Sequence, residues 1–366
     1  MANALELLFR KKKPVVEVAD EKERLKEAEI EVRPQYEGGY DESSNTIVRL
    51  VSSKKTDKVY KVTGIEDVAS KNNWKAWLYL APVIILIAVF LIYPLINTIF
   101  ISFIKDYNYV KGTGNGFTLS NFAQILGFGD YNGVRETNFV EFAIPNTMVI
   151  VFVTVPLSTL IALMISVALN SIKWLQKTFQ TIFFLPYVTN TIAVGMVFAV
   201  VFDASGVINY IFGLENMKWI YGAEHWTAMI PLCIYIIWSS LPFKILVLLS
   251  GLQGIDKQYY QAAQIDACSH TKTLWKITVP LLSPQILYIL VTSFIGAFKE
   301  YSSIVGLFNG PGTTQGSKNM YTIVYYIYEK LNTQTSFAAA AAVFLFVIIL
   351  VFTALQFAVS KKRVHY

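Results

Sequence analysis

Charge is scarce in this chain, and the scarcity is uneven. Only 15% of its 366 residues are Asp, Glu, Lys or Arg, against roughly 25% in a soluble domain. Residues 1–75 hold 29 of the 56 charged residues, and the remaining 291 hold 27. One large soluble domain is therefore excluded. The chain reads as a polar N-terminal tail fused to an integral membrane domain. Cysteine is nearly absent. Cys233 and Cys268 lie in an apolar run and in a polar insert, and both are expected to be reduced and structural. Three histidines, at 225, 270 and 365, are too scattered for a local metal site, so neither metal nor cofactor is expected. No secretory signal is legible, because "MANALELLFRKKK" puts its bases after a very short apolar stretch. The net charge of +6 does not point to nucleic acid. Most of the excess lies beside apolar segments, where it sets orientation.

What is abundant is apolar sequence: 54% of residues, with a mean hydropathy of +0.46. Six apolar runs stand out, at 78–104, 144–169, 179–202, 228–252, 281–306 and 337–360. Each is long enough to cross a hydrocarbon core of ~30 Å at ~1.5 Å per residue. Lipid offers backbone groups no partners, so these runs predict six transmembrane helices in an all-α membrane domain spanning 74–366. Pro82, Pro94, Pro156 and Pro242 lie inside them, where local kinks are tolerated. With the tail cytoplasmic, the inner flanks carry ten bases: Lys71, Lys75, Lys173, Lys177, Lys257, Lys272, Lys276, Lys361, Lys362 and Arg363. The outer loops carry six: Lys105, Lys111, Arg135, Lys218, Lys318 and Lys330. This asymmetry predicts both termini inside. Residues 1–73 mix charges of both signs with few large apolar residues, the composition of a flexible cytoplasmic tail, with a docking or regulatory role as the alternative.

Between the fourth and fifth runs lies "YYQAAQIDACSHTKTLWKITVP", Tyr259–Pro280. Asp256 is a good N-cap for a helix over Tyr259–Ile265. Ala262 and Ala263 are small enough for another surface to approach the backbone. Leu274, Trp275 and Ile277 suggest a second short amphipathic piece that Pro280 should stop, and Pro284 should open the next span. Two short helices joined by a turn make a docking knob. No paired nucleophile and base is present for catalysis.

"QAAQIDACSHTKTLWKITVPLLSP" resembles the EAA loop of permease subunits of binding-protein-dependent ABC importers. Ala262, Ala263, Asp266, Ile277 and Pro280 fall on that pattern. Gln261 stands where Glu is usual, which removes a charge. Ala267 stands where Gly is usual, which implies a turn that does not require positive φ. The resemblance covers about Leu78–Phe357 and is closest to the carbohydrate branch, maltose or multiple-sugar type. "LAPVIILIAVFLIYPLINTIFISF", "FQTIFFLPYV", "LPFKILVLLSGLQGI" and "TIVYYIYE" are similar to family blocks. It implies a type I importer permease in the bacterial or archaeal cytoplasmic membrane, with no enzymatic activity of its own. The implied partners are a second permease, giving a heterodimer, two cytoplasmic ATPase subunits docked on the 255–280 loop, and an extracellular solute-binding protein that delivers a sugar or oligosaccharide. In "VTSFIGAFKEYSS", Ser293, Gly296, Ala297 and Glu300 recur on one helical face. In "IWSSLPFK", Ser239, Ser240 and Phe243 share another. By resemblance both faces match sugar-contacting positions. Gly296 and Ala297 depart from the larger residues usual there, which implies a different or larger ligand. Lys299 and Glu300 either pair with neighbouring helices or snorkel to the outer surface, or they touch substrate. Lys244 reads as a packing or snorkelling residue.

"GPGTTQGSK", Gly310–Lys318, only loosely resembles a phosphate loop. Its Ser precedes its Lys and its spacing is one residue too long, so the chain should not bind ATP itself. An ion-coupled secondary transporter would need an internal repeat or coupling carboxylates. No persuasive repeat is seen, and Glu300 is the only acid within a span. A membrane enzyme would need a His, Cys and carboxylate cluster, which is missing.

Overall fold

In a computed structural model, residues 73–131, 134–135, 138–172, 176–214, 217–309 and 320–360 are described. The 1–73 tail and the 310–318 segment therefore lie outside or almost outside them. The chain divides into two compact units, Met1–Leu91 and Ile92–Tyr366. The described part of the first is the helix α1 (Asn73–Ile87) and the start of a π-turn over Ala88–Ile92.

Among its described residues the second unit is nearly all helix. It opens with α2 (Tyr93–Ser102), and a loop holds the short α3 (Ser120–Ile125) and a two-stranded hairpin, β1 (Asp130–Tyr131) with β2 (Val134–Arg135). A long segment follows from Phe139: a π-turn (Phe139–Ala143), α4 (Ile144–Val149), a second π-turn (Ile150–Thr154) and α5 (Val155–Ser171). Next come α6 (Gln176–Val188), α7 (Thr191–Val201), α8 (Val207–Phe212) and the 29-residue α9 (His225–Gln253). The polar insert forms α10 (Lys257–Ile265) and α11 (His270–Thr273), then a π-turn (Leu274–Thr278) and α12 (Val279–Leu281). The chain ends with α13 (Ser283–Phe298), α14 (Ser302–Phe308), α15 (Ile323–Lys330) and α16 (Thr335–Ser360).

Among the described residues, four helical segments are long and apolar enough to cross a bilayer: Trp77–Ser102, Phe139–Ser171, His225–Gln253 and Thr335–Ser360. A fifth is bent by 70° between His270–Leu281 and Ser283–Phe298. The third apolar run of the sequence is two helices. It breaks after Val188 because Asn190, extended at φ −65° and ψ 122°, caps α7 by accepting from the N–H groups of Ile192 and Ala193.

Each π-turn has the same sequence cause. Pro94, Pro145, Pro156 and Pro280 each stand two residues beyond a π-turn. Proline has no N–H for the carbonyl four residues back, and its ring crowds that carbonyl. Those carbonyls belong to Phe90, Glu141, Phe152 and Lys276, the central residue of each turn. Widening the turn relieves the clash without breaking the helix. Pro280 therefore does not stop the insert helix as its sequence suggests. The helix runs through it to Leu281.

Two apolar clusters hold the second unit together. One joins Phe139, Ile150, Leu232, Phe298, Ile304, Tyr326 and Ala340. The other lies nearer the insert and joins Ala162, Leu163, Ile245, Leu248, Leu282 and Ile289. In lipid, close approach and interhelical hydrogen bonds matter more than burial alone. At the crossing of α7 and α14, a Cβ on Gly195 would stand 2.7 Å from the Gly306 carbonyl carbon. Between α5 and α9, the buried Lys244 amine donates to the Ser158 hydroxyl, and Ser166 Oγ donates to the Ile245 carbonyl at 3.2 Å. Lys244 is thus a packing residue that does not snorkel.

Candidate coupling surface and transport pathway

The insert folds as the knob its sequence suggests. Asp256 caps α10, its carboxylate accepting from the Gln258 N–H at 3.0 Å. The helix ends in a left-handed turn. Ala267 has φ +50°, the Cys268 N–H reaches the Ala263 carbonyl at 2.9 Å, and the Ala267 N–H reaches Gln264 at 3.0 Å. This pair of bonds is the Schellman arrangement, whose left-handed position favours glycine. The expectation that Ala267 needs no positive φ is corrected: the bond pattern imposes it, and alanine bears the strain.

Ser269 then caps α11 through the Lys272 N–H. The two pieces are tied by Tyr260, whose hydroxyl lies 3.3 Å from Thr278 Oγ1. Gln261, Ala262, Asp266 and Ala267 are exposed, Ile277 and Pro280 are half-buried, and Ala263 is buried against its own chain. The surface left open for another molecule is therefore Ala262 rather than Ala263. Ile265 joins it, 86% exposed at the helix end. Beside this knob runs a groove of about 600 Å³ lined by Ser250, Gly251, Asp256, Tyr259, Leu281 and Gln285.

The polar residues along the spans divide differently from their sequence grouping. Ser239 and Ser240 are half-buried and turn their hydroxyls back to the Ile236 and Ile237 carbonyls at 3.0 and 2.9 Å. Phe243 sits between Tyr187, stacked at 6.1 Å, and Tyr288 at 6.3 Å. On α13, Ser293 is half-buried, Gly296 is exposed with open space where a Cβ would be, and Ala297 is buried. Glu300 is beyond the helix, which ends at Phe298. Its carboxylate accepts from the Ser303 N–H at 3.0 Å, and its carbonyl accepts from Thr322 Oγ1 at 2.8 Å. Thr322 in turn caps α15 at the Tyr325 N–H. Glu300 thus ties together the starts of α14 and α15. Nearby, the chain start of α15 is held by Asn146, whose amide donates to the Tyr321 carbonyl at 2.8 Å, and by Thr147, whose hydroxyl accepts from Ile323 N–H at 3.0 Å.

Residues 154–365 match the sequence profile of the family described as "Binding-protein-dependent transport system inner membrane component". The chain belongs to this family. As a permease subunit of a bacterial membrane transporter it is not itself an enzyme; ATP hydrolysis resides in partner subunits. The permease is 30% identical over 299 residues to the lactose transport system permease protein LacF of Rhizobium radiobacter, covering 78% of this chain and 94% of that one. It is 27% identical over 311 residues to the arabinooligosaccharides transport system permease protein AraP of Bacillus subtilis, covering 82% and 93%. Its fold matches that of a crystallised bacterial alginate ABC transporter with a TM-score of 0.64 at 22% identity, over 81% of this chain and 97% of that one.

Two sets of side chains on the permease were not singled out from sequence. Ile265 carried one signal, a large apolar residue at the polar end of an amphipathic helix. The other set is tyrosines 301, 325 and 328, whose only signal is their density in "TIVYYIYE" and beside Glu300.

Proposed function

We propose that this permease subunit moves a sugar or oligosaccharide across the cytoplasmic membrane, driven by ATPase subunits docked on the 255–280 knob. The carrying observation is the knob itself: a capped two-helix element with Ala262 and Ile265 outward and no catalytic group on it. Family membership supports coupling to ATPase subunits, and we read the knob as their docking site. The sugar class is supported by relatives named for lactose and for arabinooligosaccharides, and by hydroxyl and aromatic groups along α9 and α13. We assign Ser239, Ser240, Phe243, Ser293, Gly296, Ala297 and Glu300 to the pathway, with Gly296 as an open notch. A second permease completes the path as a heterodimer, and an extracellular binding protein delivers the ligand. Both termini are cytoplasmic.

The test is co-purification and transport with Ala262→Arg. Position 262 is exposed, so the chain should fold and insert normally. ATPase subunits should fail to co-purify and uptake should fall at least about tenfold, the effect of a desolvated charge in a close-packed contact. Wild-type uptake and ATPase recovery in that variant would reject the assignment. The analogous change at Ala263 is less informative, because that side chain is buried in its own subunit.

A further inference from the structure

At the end of α13 away from the knob, four tyrosines form one continuous run of ring contacts. Tyr301 and Tyr328 lie face to face, with ring centroids 4.4 Å apart and 25° between planes. Tyr301 also meets Tyr325 at 5.6 Å, and Tyr325 meets Tyr321 edge-on at 5.3 Å. Burial falls steadily along the run. Tyr321 and Tyr325 are buried, Tyr301 is half-buried, and Tyr328 is 55% exposed. The exposed ring is therefore held by a graded support that runs back into the apolar core.

The surroundings are polar. Tyr301 follows Glu300 directly, and Glu329 is exposed next to Tyr328. The Tyr325 phenol is pushed up to about 12 by burial first, then by Tyr301 and Glu329, so it keeps its proton at any physiological pH. An aromatic residue serving only as an interfacial anchor needs no fixed ring plane. A ring fixed in orientation, with one face covered by a partner and hydrogen-bonding groups beside it, suits the apolar face of a pyranose.

We propose that Tyr328, supported by Tyr301, is a receiving platform for one ring of an incoming oligosaccharide at the mouth opposite the ATPase knob. This rests on the sugar reading above and deepens it. The platform stands beside the Glu300 junction, at the far end of α13 from Tyr288. α13 alone is ~24 Å long at ~1.5 Å per residue. A chain of several sugar units can occupy the platform while its leading rings enter the path; a single ring cannot do both.

The experiment uses the complete transporter, with second permease, ATPases and binding protein, in vesicles. Linear oligosaccharides from disaccharide to hexasaccharide, of neutral and uronate types, are the probes. The best-transported chain is compared across variants at equal complex levels, reading sugar imported per ATP hydrolysed. Tyr328→Ala should lower that ratio about tenfold, the scale of one lost aromatic stacking contact with its desolvation. Binding-protein-stimulated hydrolysis should stay at the wild-type rate, and Tyr328→Trp should restore the ratio. An unchanged ratio in Tyr328→Ala would leave the ring a packing or interfacial group and overturn the proposal. Loss of the stimulated hydrolysis would overturn it in favour of a protein contact. If the wild-type complex hydrolyses ATP but imports no oligosaccharide, the sugar reading fails and the platform with it; wild-type uptake and ATPase recovery in Ala262→Arg would reject the docking reading alone.

Discussion

Ala267 sits where the Schellman bonds demand a left-handed residue, and an L side chain there costs about 1–2 kcal/mol. Glycine removes that strain but adds chain entropy to the unfolded state. The net gain expected for Ala267→Gly is about 0.5–1 kcal/mol. Measured by hydrogen exchange, the amides of residues 267 and 268 should exchange several-fold more slowly. Faster exchange would mean the turn is not strained. Sequence reasoning could locate this turn but not its φ, because dihedral demand follows from which carbonyls the turn N–H groups reach. Glu300 is a parallel case. Helical spacing puts it on a face with Ser293, yet the helix stops at Phe298. A carboxylate that would be costly in lipid instead accepts from the first turn of α14, where negative charge is favourable. Lys244 was legible as a packing residue, but its partner Ser158 lies 86 positions away and no local pattern could name it.

At the scale of elements, most of the architecture was legible because lipid forces apolar runs into helices. Four of the six runs are continuous helices, and the fifth is the bent one. The third run was read as one span because its mean apolarity hides the Thr189-Asn190-Thr191 interruption. Asn190 is a strong cap, so the break had a signal that the averaging removed. The π-turns were half legible: the prolines announce kinks, but only the structure shows the helix widening rather than breaking. One close element contact is invisible in a single sequence. Gly195 on α7 meets Gly306 on α14 backbone to backbone, and nothing flexible can yield there. Gly195→Val should force the helices apart at a cost of about 1–3 kcal/mol, as overpacking does. The readout is a lowered melting temperature of the purified complex and less folded protein in membranes. Gly296→Val, added at a site with open space, should leave the melting temperature unchanged and so control for valine itself. Equal melting of Gly195→Val and wild type would show that the crossing is loose.

For the whole molecule, the proposed orientation rests on a bias of bases across the loops. With Cys233 and Cys268 replaced, a cysteine at Val110 and one at Ile265 give a two-point measurement. Both positions are well exposed, at 92% and 86%. An impermeant maleimide should label Val110→Cys in intact cells and Ile265→Cys only in inside-out vesicles. The opposite pattern would invert the topology and move the knob away from ATP.

The 70° bend between His270–Leu281 and Ser283–Phe298 has a mechanical meaning. Leu282 is fully buried at the bend, and Gly251 lies so close that a Cβ there would come within 2.8 Å of its Cδ2. Such a tight seat would serve as a fulcrum for any swing of the two arms. The arm toward the knob has twelve residues and the arm toward Phe298 has sixteen, so their lengths are ~18 Å and ~24 Å. A rigid elbow of these proportions has a displacement ratio of about 1.3. A stroke of about 3 Å at His270 would emerge as about 4 Å at Phe298, delivered to the junction where Glu300 holds two helix starts together. With ATPase subunits docked on the knob as proposed, a bent helix of this shape would act as a bell crank, turning a push at His270 into a sideways swing at Phe298.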